Sequence, residues 1–248
     1  MIDALRVDFI AVPVQDLAAA SEFYGETLGL ARNPSSGDRW VEYETGNLTL
    51  GLSTFGGGIA LRVDDVESAR RKLEEAGVEF VMDTFDSGVC HGAPFSDPDG
   101  NRLLLHRRYA PSEPWEAPAN DVERTDFIGV NVTDRDKAGE FYGGVLGLER
   151  NELASDDWPE FEVENVGMVL STPEQKGGAE FRASDYGIAL RVPDVDVSME
   201  RLQDAGVEFE FPEPYDSGVC RMAFFKDPDG NSLILHRRYA PYRNGSTP

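Results

Sequence analysis

The segment "DFIAVPVQDLAAASEFYGETLGL" (Asp8 to Leu30) returns 118 positions later as "DFIGVNVTDRDKAGEFYGGVLGL" (Asp126 to Leu148). A second segment, "GIALRVDDVESARRKLEEAGVEF" (Gly58 to Phe80), returns 129 positions later as "GIALRVPDVDVSMERLQDAGVEF" (Gly187 to Phe209). Repetition on this scale constrains the fold more than any other feature, because the chain must build one plan twice. The offset grows by 11 residues between the two matches, which places an insertion within "PEQKGGAEFRASDYG" of the second copy, a surface loop by composition. The expected organisation is a first domain over 1–110, a linker over 111–123 containing the proline- and acid-rich "SEPWEAPAND", a second domain over 124–240 and a tail over 241–248.

Within each copy the periodicities alternate. "RVDFIAVPV" reads as a strand, after which Asp16 is placed to cap a helix whose Leu17, Ala20, Phe23, Tyr24 and Leu28 recur at helical spacing and which ends at Gly29. "RWVEYET" and "LTLGLS" form a hairpin about Gly46 and Asn47. The same order then recurs: "GIALRV" is a strand, "DVESARRKLEEAG" a capped helix, and "VCHGAPFSDPDGNRLLLHRR" a hairpin turned at "DPDGN". Four such units in tandem give an α+β fold, in which each sheet buries one face under its helices and leaves the other free to curve around something.

The balance of 46 acidic against 23 basic residues, a formal charge of −23, argues against nucleic acid as a partner, because a polyanion meets a repulsive field. Solvation of the surface in a salty cytoplasm explains this acidity, as does attraction of small cations. No stretch approaches the ~18 to 20 continuous apolar residues of a membrane helix, and the start lacks the pattern of a secretory signal. Two cysteines at matching places, Cys90 and Cys220, do not resemble a disulfide framework, so a reducing, cytoplasmic setting is expected.

The ordered set "D…FYG..LGL", "AGVEF" and "DPDGN" before a final strand resembles the vicinal oxygen chelate superfamily of glyoxalases, extradiol dioxygenases and bleomycin-resistance proteins, twice over nearly the whole chain. The resemblance implies paired βαβββ modules, two modules making one half-closed barrel with helices outside. It also implies a divalent metal held by His or Gln on the first strand, Glu on the fourth, His or Gln on the fifth and Glu on the eighth. Those positions fall here on Phe9 and Phe127, Gly51 and Val169, Gly58 and Gly187, and Leu104 and Ile234. None offers an oxygen, nitrogen or sulfur donor, so neither a metal nor another cofactor is expected.

Side chains two apart share a face of a strand. His106 therefore faces the cavity with Leu104, His236 with Ile234, and Cys90 and Cys220 fall on the cavity side of the neighbouring strands. Such Cys and His pairs suit a nucleophile with its base, or two ligands of a soft metal lacking a third donor unless Glu42 or Glu160 supplies one. The plainer alternatives are a hydrogen-bonding histidine at a strand end and a small apolar cysteine. In "RWVEYE" and "DWPEFE", Trp40, Glu42, Trp158 and Glu160 take the cavity face, where an indole beside a carboxylate suits a cationic or planar aromatic ligand; an edge strand with a rim-covering tryptophan would look the same. Arg62 and Arg191 would pair these glutamates or an anionic ligand.

Three functions fit this pattern. The first is a metal-independent binding protein of the glyoxalase and bleomycin-resistance type, taking a small aromatic or cationic molecule and monomeric because its two copies mimic a dimer. The second is an enzyme of the same superfamily, with a relocated metal or with metal-free His and Cys chemistry. The third is a module without ligand. Gly92 against Met222, Pro94 against Phe224 and Gly51 against Val169 predict a smaller cavity in the second copy, so the first copy is the better candidate for a ligand.

Overall fold

The computed structural model describes residues 2, 4–111, 115–176, 178 and 180–241. The expected 242–248 portion of the tail, and residues 112–114 of the linker, lie outside them. The first copy comprises β1 (Arg6–Pro13), α1 (Leu17–Glu22), β2 (Ala31–Arg32), β3 (Trp40–Glu44), β4 (Thr49–Ser53), β5 (Gly58–Arg62), α2 (Val66–Glu75), β6 (Phe85–Asp86), β7 (Cys90–Ser96) and β8 (Arg102–Arg108). The second repeats the order as β9 (Arg124–Asn131), α3 (Arg135–Gly139), β10 (Glu149–Arg150), β11 (Glu160–Val163), β12 (Val166–Ser171), β13 (Gly187–Arg191), α4 (Val195–Asp204), β14 (Tyr215–Asp216), β15 (Cys220–Lys226) and β16 (Ser232–Arg238). Each copy contributes one eight-stranded sheet, ordered β2-β3-β4-β1-β5-β8-β7-β6 and β10-β11-β12-β9-β13-β16-β15-β14. The chain is thus an α+β protein of four βαβββ modules, whose sheets curve without closing. No helix among the described residues is long and apolar enough to cross a membrane.

The helices begin as the sequence dictates. Asp16, Asp65, Asp134 and Asp194 stand in extended backbone and accept hydrogen bonds from the first free amides of the four helices. The expected helix from Leu17 to Leu28 does not run unbroken, however: after Glu22 it widens into a π-helical segment at Phe23–Thr27, and Glu140–Val145 does the same in the second copy. The wider turn lets both aromatics of each "FY" pair point into protein, so that Phe23 and Tyr24, like Phe141 and Tyr142, are buried together.

Contacts gather the chain into two compact units that cut across the sequence repeat. One is Met1–Ala11, Gly57–Trp115 and Gly129–Asp185; the other is Val12–Gly56, Glu116–Ile128 and Tyr186–Pro248. Each unit therefore joins one module of each copy, and the polar seam is the same in both. In the first unit, Tyr142 donates to Asp97 Oδ2 at 3.0 Å. Asn101 donates its side-chain nitrogen to the same oxygen at 2.8 Å and to the Asn131 carbonyl at 2.7 Å. In the second unit, Tyr24 donates to Asp227 Oδ2 at 3.0 Å, and Asn231 donates to Asp227 and to the Pro13 carbonyl. The "DPDGN" turns thus do more than reverse the chain, for their first aspartate and last asparagine bind the module from the other copy. The inserted segment of the second copy follows suit, Ser184 Oγ accepting from the Arg102 amide at 2.9 Å.

Burial pushes the Asp97 and Asp227 carboxyls above their ordinary value of 3.8, against the pull of the asparagine and tyrosine donors. A folded pKa above the unfolded one means that the folded state takes up the proton first, so stability rises as pH falls through the raised value towards 3.8. Asp8, whose carboxyl lies below 3.8, contributes stability that is lost only at still lower pH. His106 and His236, raised from 6.5 to about 9, contribute stability that is likewise lost as pH rises through that range, so the urea midpoint is expected to be higher at about pH 5 than at about pH 8. A midpoint that stays level or rises from about pH 5 to about pH 8 would contradict it.

Candidate functional site

On the face of the first sheet away from its helices, a row of polar side chains crosses four strands within one unit. Arg62 on β5 stands beside His106 on β8, and His106 stands opposite Gly92 on β7. Cys90 lies two residues before Gly92 and so shares its face. From β1 comes Asp8, which strict alternation would turn towards the helices, since Phe9 faces the open side. The pairing of β1 with β5 slips between Val7 and Phe9, and this bulge brings both residues to the histidine. Phe9 meets the imidazole edge to face at 5.2 Å.

His106 Nδ1 donates to Asp8 Oδ2 at 2.6 Å, while Asp8 Oδ1 receives Arg62 at 2.7 Å. The same imidazole faces the side of the sheet that carries Cys90 and acts to lower its thiol. Ser87 holds the thiol, Oγ to Sγ at 3.1 Å, and accepts the Cys90 amide at 3.0 Å. The segment "DSGVC" is therefore a turn that presents the cysteine.

Charge follows from this geometry. Burial would drive the His106 proton off, but the Asp8 hydrogen bond and the Cys90 contact outweigh it and raise the histidine to about 9. Burial likewise pushes the Cys90 thiol up, yet the His106 hydrogen bond, Ser87 and the nearby Arg108 charge bring it below its ordinary value. Asp8 is desolvated too, and His106 and Arg62 together hold it below the usual carboxylate range. The arrangement favours a thiolate beside an imidazolium that a carboxylate orients.

The second unit repeats it. His236 Nδ1 meets Asp126 Oδ2 at 2.5 Å, Arg191 Nε donates to Asp126 Oδ1 at 2.7 Å, and Phe127 stacks edge-on to His236 at 5.3 Å. Cys220 Sγ meets Ser217 Oγ at 3.1 Å, His236 and Ser217 lower its thiol against the effect of burial, and His236 rises to about 9. Arg62 and Arg191 were expected to pair Glu42 and Glu160 or an anion; they instead grip Asp8 and Asp126, which were not among the expected site residues, and Asp8 leaves the usual strand alternation.

The remaining expected residues are placed as follows. Trp40 Nε1 donates to Glu42 at 2.8 Å, and the indole covers Gly51 so closely that a Cβ there would lie 2.1 Å from it. The glycine at the family's fourth-strand ligand position is thus the floor under a tryptophan. Glu160 packs in the same way over Gly167, whereas Trp158 is 44% exposed and does not meet it as Trp40 meets Glu42. Leu104 and Ile234 take their places on β8 and β16, Leu104 opposite Pro94 and Ile234 opposite Phe224. A residue the sequence reading passed over, Phe85, lies across Gly92: a Cβ at that glycine would stand 2.4 Å from the Phe85 ring and 3.1 Å from Leu104. In the second copy Met222 occupies the place of Gly92, and Tyr215, the counterpart of Phe85, is 54% exposed. Two concavities of about 520 and 490 Å³ lie in the second of the two compact units, one between Phe23, Thr27 and Val207 and one between Ser21, Leu30 and Tyr43, and neither includes the cysteine or histidine.

A divalent metal of the kind the family uses does not fit these residues. Each histidine already has its Nδ1 on an aspartate, and each aspartate is neutralised by an arginine. Among the described residues no group of three or more His, Cys, Asp or Glu side chains could hold a metal ion.

Comparison with known proteins agrees with this architecture. Residues 55–105 and 124–235 match the Glyoxalase/Bleomycin resistance protein/Dioxygenase superfamily, and the chain belongs to that family. Among curated proteins it is 32% identical over 116 residues to a "Probable lactoylglutathione lyase" of Vibrio cholerae serotype O1, a match covering 43% of this chain and 84% of that one. Among solved structures, homoprotocatechuate 2,3-dioxygenase from Brevibacterium fuscum superposes with a TM-score of 0.69 at 16% identity, covering 97% of this chain and 82% of the other. The Mn(II)-bound glyoxalase from Novosphingobium aromaticivorans does so with 0.66 at 16%, covering 94% and 82%. At such identities these structures share the fold.

Proposed function

We propose that this member of the glyoxalase superfamily works without a metal, binding a small molecule at each Asp–His–Cys row and using the cysteine thiolate as the reactive group. The observation that carries the reading is the recurrence of the whole row, Asp8–His106–Cys90 and Asp126–His236–Cys220, with an arginine on each aspartate. A lone strand-end histidine would need none of these partners. In this reading Asp8 fixes the imidazole on the face that carries the thiol, and the imidazolium returns a proton to whatever the sulfur attacks. A reducing cytoplasm, where thiols persist, suits this chemistry, as does a monomer whose two copies replace a dimer.

The alternative, simple binding of an aromatic or cationic molecule, rests on Trp40 and Glu42. It is the weaker reading because that carboxylate already accepts from its own indole neighbour. Iodoacetamide alkylation of Cys90, followed by mass spectrometry, separates the two. At about pH 6 the rate should exceed that of the urea-unfolded chain by at least about tenfold and should fall to the unfolded rate in His106→Leu. Protein purified without chelator should carry no stoichiometric metal. An alkylation rate like that of the unfolded thiol, or stoichiometric iron, manganese, nickel or zinc lost on changing His106 and His236 to Leu, overturns the reading.

A further inference from the structure

We infer that the first copy's site takes a small anionic electrophile, a carbonyl compound bearing a carboxylate, with Arg62 as the anchor of the carboxylate and Cys90 as the nucleophile. The inference rests on the thiolate reading above and adds to it the charge of the ligand. The whole chain is strongly acidic, yet the charges around this row run the other way. Arg6, at 3.8 Å, and Arg62, at 2.7 Å, both face Asp8, and Arg108 stands directly across from Cys90 on the neighbouring strand. With His106 protonated, four positive groups surround two negative ones, Asp8 and the Cys90 thiolate.

Arg62 gives Asp8 one terminal nitrogen and keeps 36% of its side chain exposed, whereas Asp8 and His106 are 7% and 9% exposed. A guanidinium held at one corner and open on its remaining edge is suited to a second carboxylate. It stands next to His106 in the β5–β8 register, and His106 leads to Cys90. Phe85, lying over Gly92, supplies an apolar wall beside them. A carboxylate held by Arg62 thus keeps the rest of the molecule on the face of the sheet that carries Cys90.

The step balances without any outside reagent. The Cys90 sulfur forms a bond to the carbonyl carbon, the carbonyl π pair moves to oxygen, and that oxygen takes the proton of the His106 imidazolium, leaving a hemithioacetal and a neutral imidazole. The second copy is less suited. Arg191 turns its Nε to Asp126 and is only 20% exposed, and Cys220 is 9% exposed.

Paired alkylating probes test the anchor separately from the thiolate. In the full chain, the ratio of iodoacetate to iodoacetamide rates at Cys90 should exceed that of the same cysteine in urea by about tenfold, the scale of one well-placed charge-assisted contact. Arg62→Met should lower the ratio of iodoacetate to iodoacetamide rates by about tenfold, towards its value in urea. Glyoxylate should protect Cys90 from iodoacetamide at lower concentration than the neutral glycolaldehyde does. A ratio no higher than in urea, a parallel fall of both reagents in Arg62→Met, or equal protection by the two aldehydes overturns the anchor. Slow reaction with iodoacetamide alone would instead overturn the thiolate.

Discussion

Asp97→Ala is expected to lower the stability of the chain by about 4 kcal/mol, seen as a fall of roughly 10 °C in melting temperature, because it strands several donors at once. The carboxylate accepts from the Asn101 amide at 2.8 Å, the Asp99 amide at 2.9 Å, the Asn101 side chain at 2.8 Å and the Tyr142 hydroxyl at 3.0 Å. Asn101 and Tyr142 are fully buried, so water cannot replace the lost acceptor. Each stranded donor costs about 1–3 kcal/mol, and partial relaxation keeps the sum near the lower end of that range. Tyr142→Phe removes one hydroxyl and leaves the turn intact, so it should cost only about 1 kcal/mol. A thermal or urea melt of both variants decides the matter. Equal, small losses would mean that the turn serves only to reverse the chain. The same comparison at Asp227 and Tyr24 should agree, since that seam has the same donors.

These seams show where the sequence stops being legible. The repeat, the helix caps and the hairpins could be read because each is local: a cap needs an aspartate three residues from its amide, and a turn needs a glycine at its corner. Tyr142 and Asp97 meet across 45 residues and Tyr24 and Asp227 across 203, and no periodicity within a segment reports such a pairing. The one available signal was that "FYG" and "DPDGN" recur together in both copies. The break of the first helix after Glu22 was hidden for a related reason, since Phe23 and Tyr24 fit an α-helical stripe until their tertiary partners are known.

The candidate site divides in the same way. His106, Cys90 and Arg62 follow from counting along strands, and the structure brings them into one row. Asp8 does not follow, because a single extra residue in β1 defeats the alternation on which the counting rests. A retained "DF" at the start of both copies was the clue to it. The glycines were legible only as missing ligands, whereas Gly51 and Gly92 are the clearances that let Trp40 and Phe85 lie flat on the sheet.

Asp8 therefore provides the sharpest test of how the row works. Asp8→Asn keeps the shape of the side chain and a hydrogen bond to His106, but removes the charge that holds the imidazolium at about 9. What remains is burial, which acts to expel the proton. Once the imidazole is neutral, the thiol loses the main partner that lowers it, and only Ser87 and Arg108 are left to oppose the desolvation that raises it. In the wild type, the alkylation rate of Cys90 should climb at a pH below the ordinary thiol range, hold level, and change again near pH 9 as His106 gives up its proton. In Asp8→Asn the early rise should vanish, and the rate at about pH 6 should fall towards that of the urea-unfolded chain. The rate well above pH 9, where any thiol is ionised, should barely change, and this separates loss of charge from loss of fold. A variant slowed equally at every pH would show that Asp8 only props the strand. An unchanged acid limb would show that Arg108 and Ser87, not the histidine, set the cysteine's reactivity.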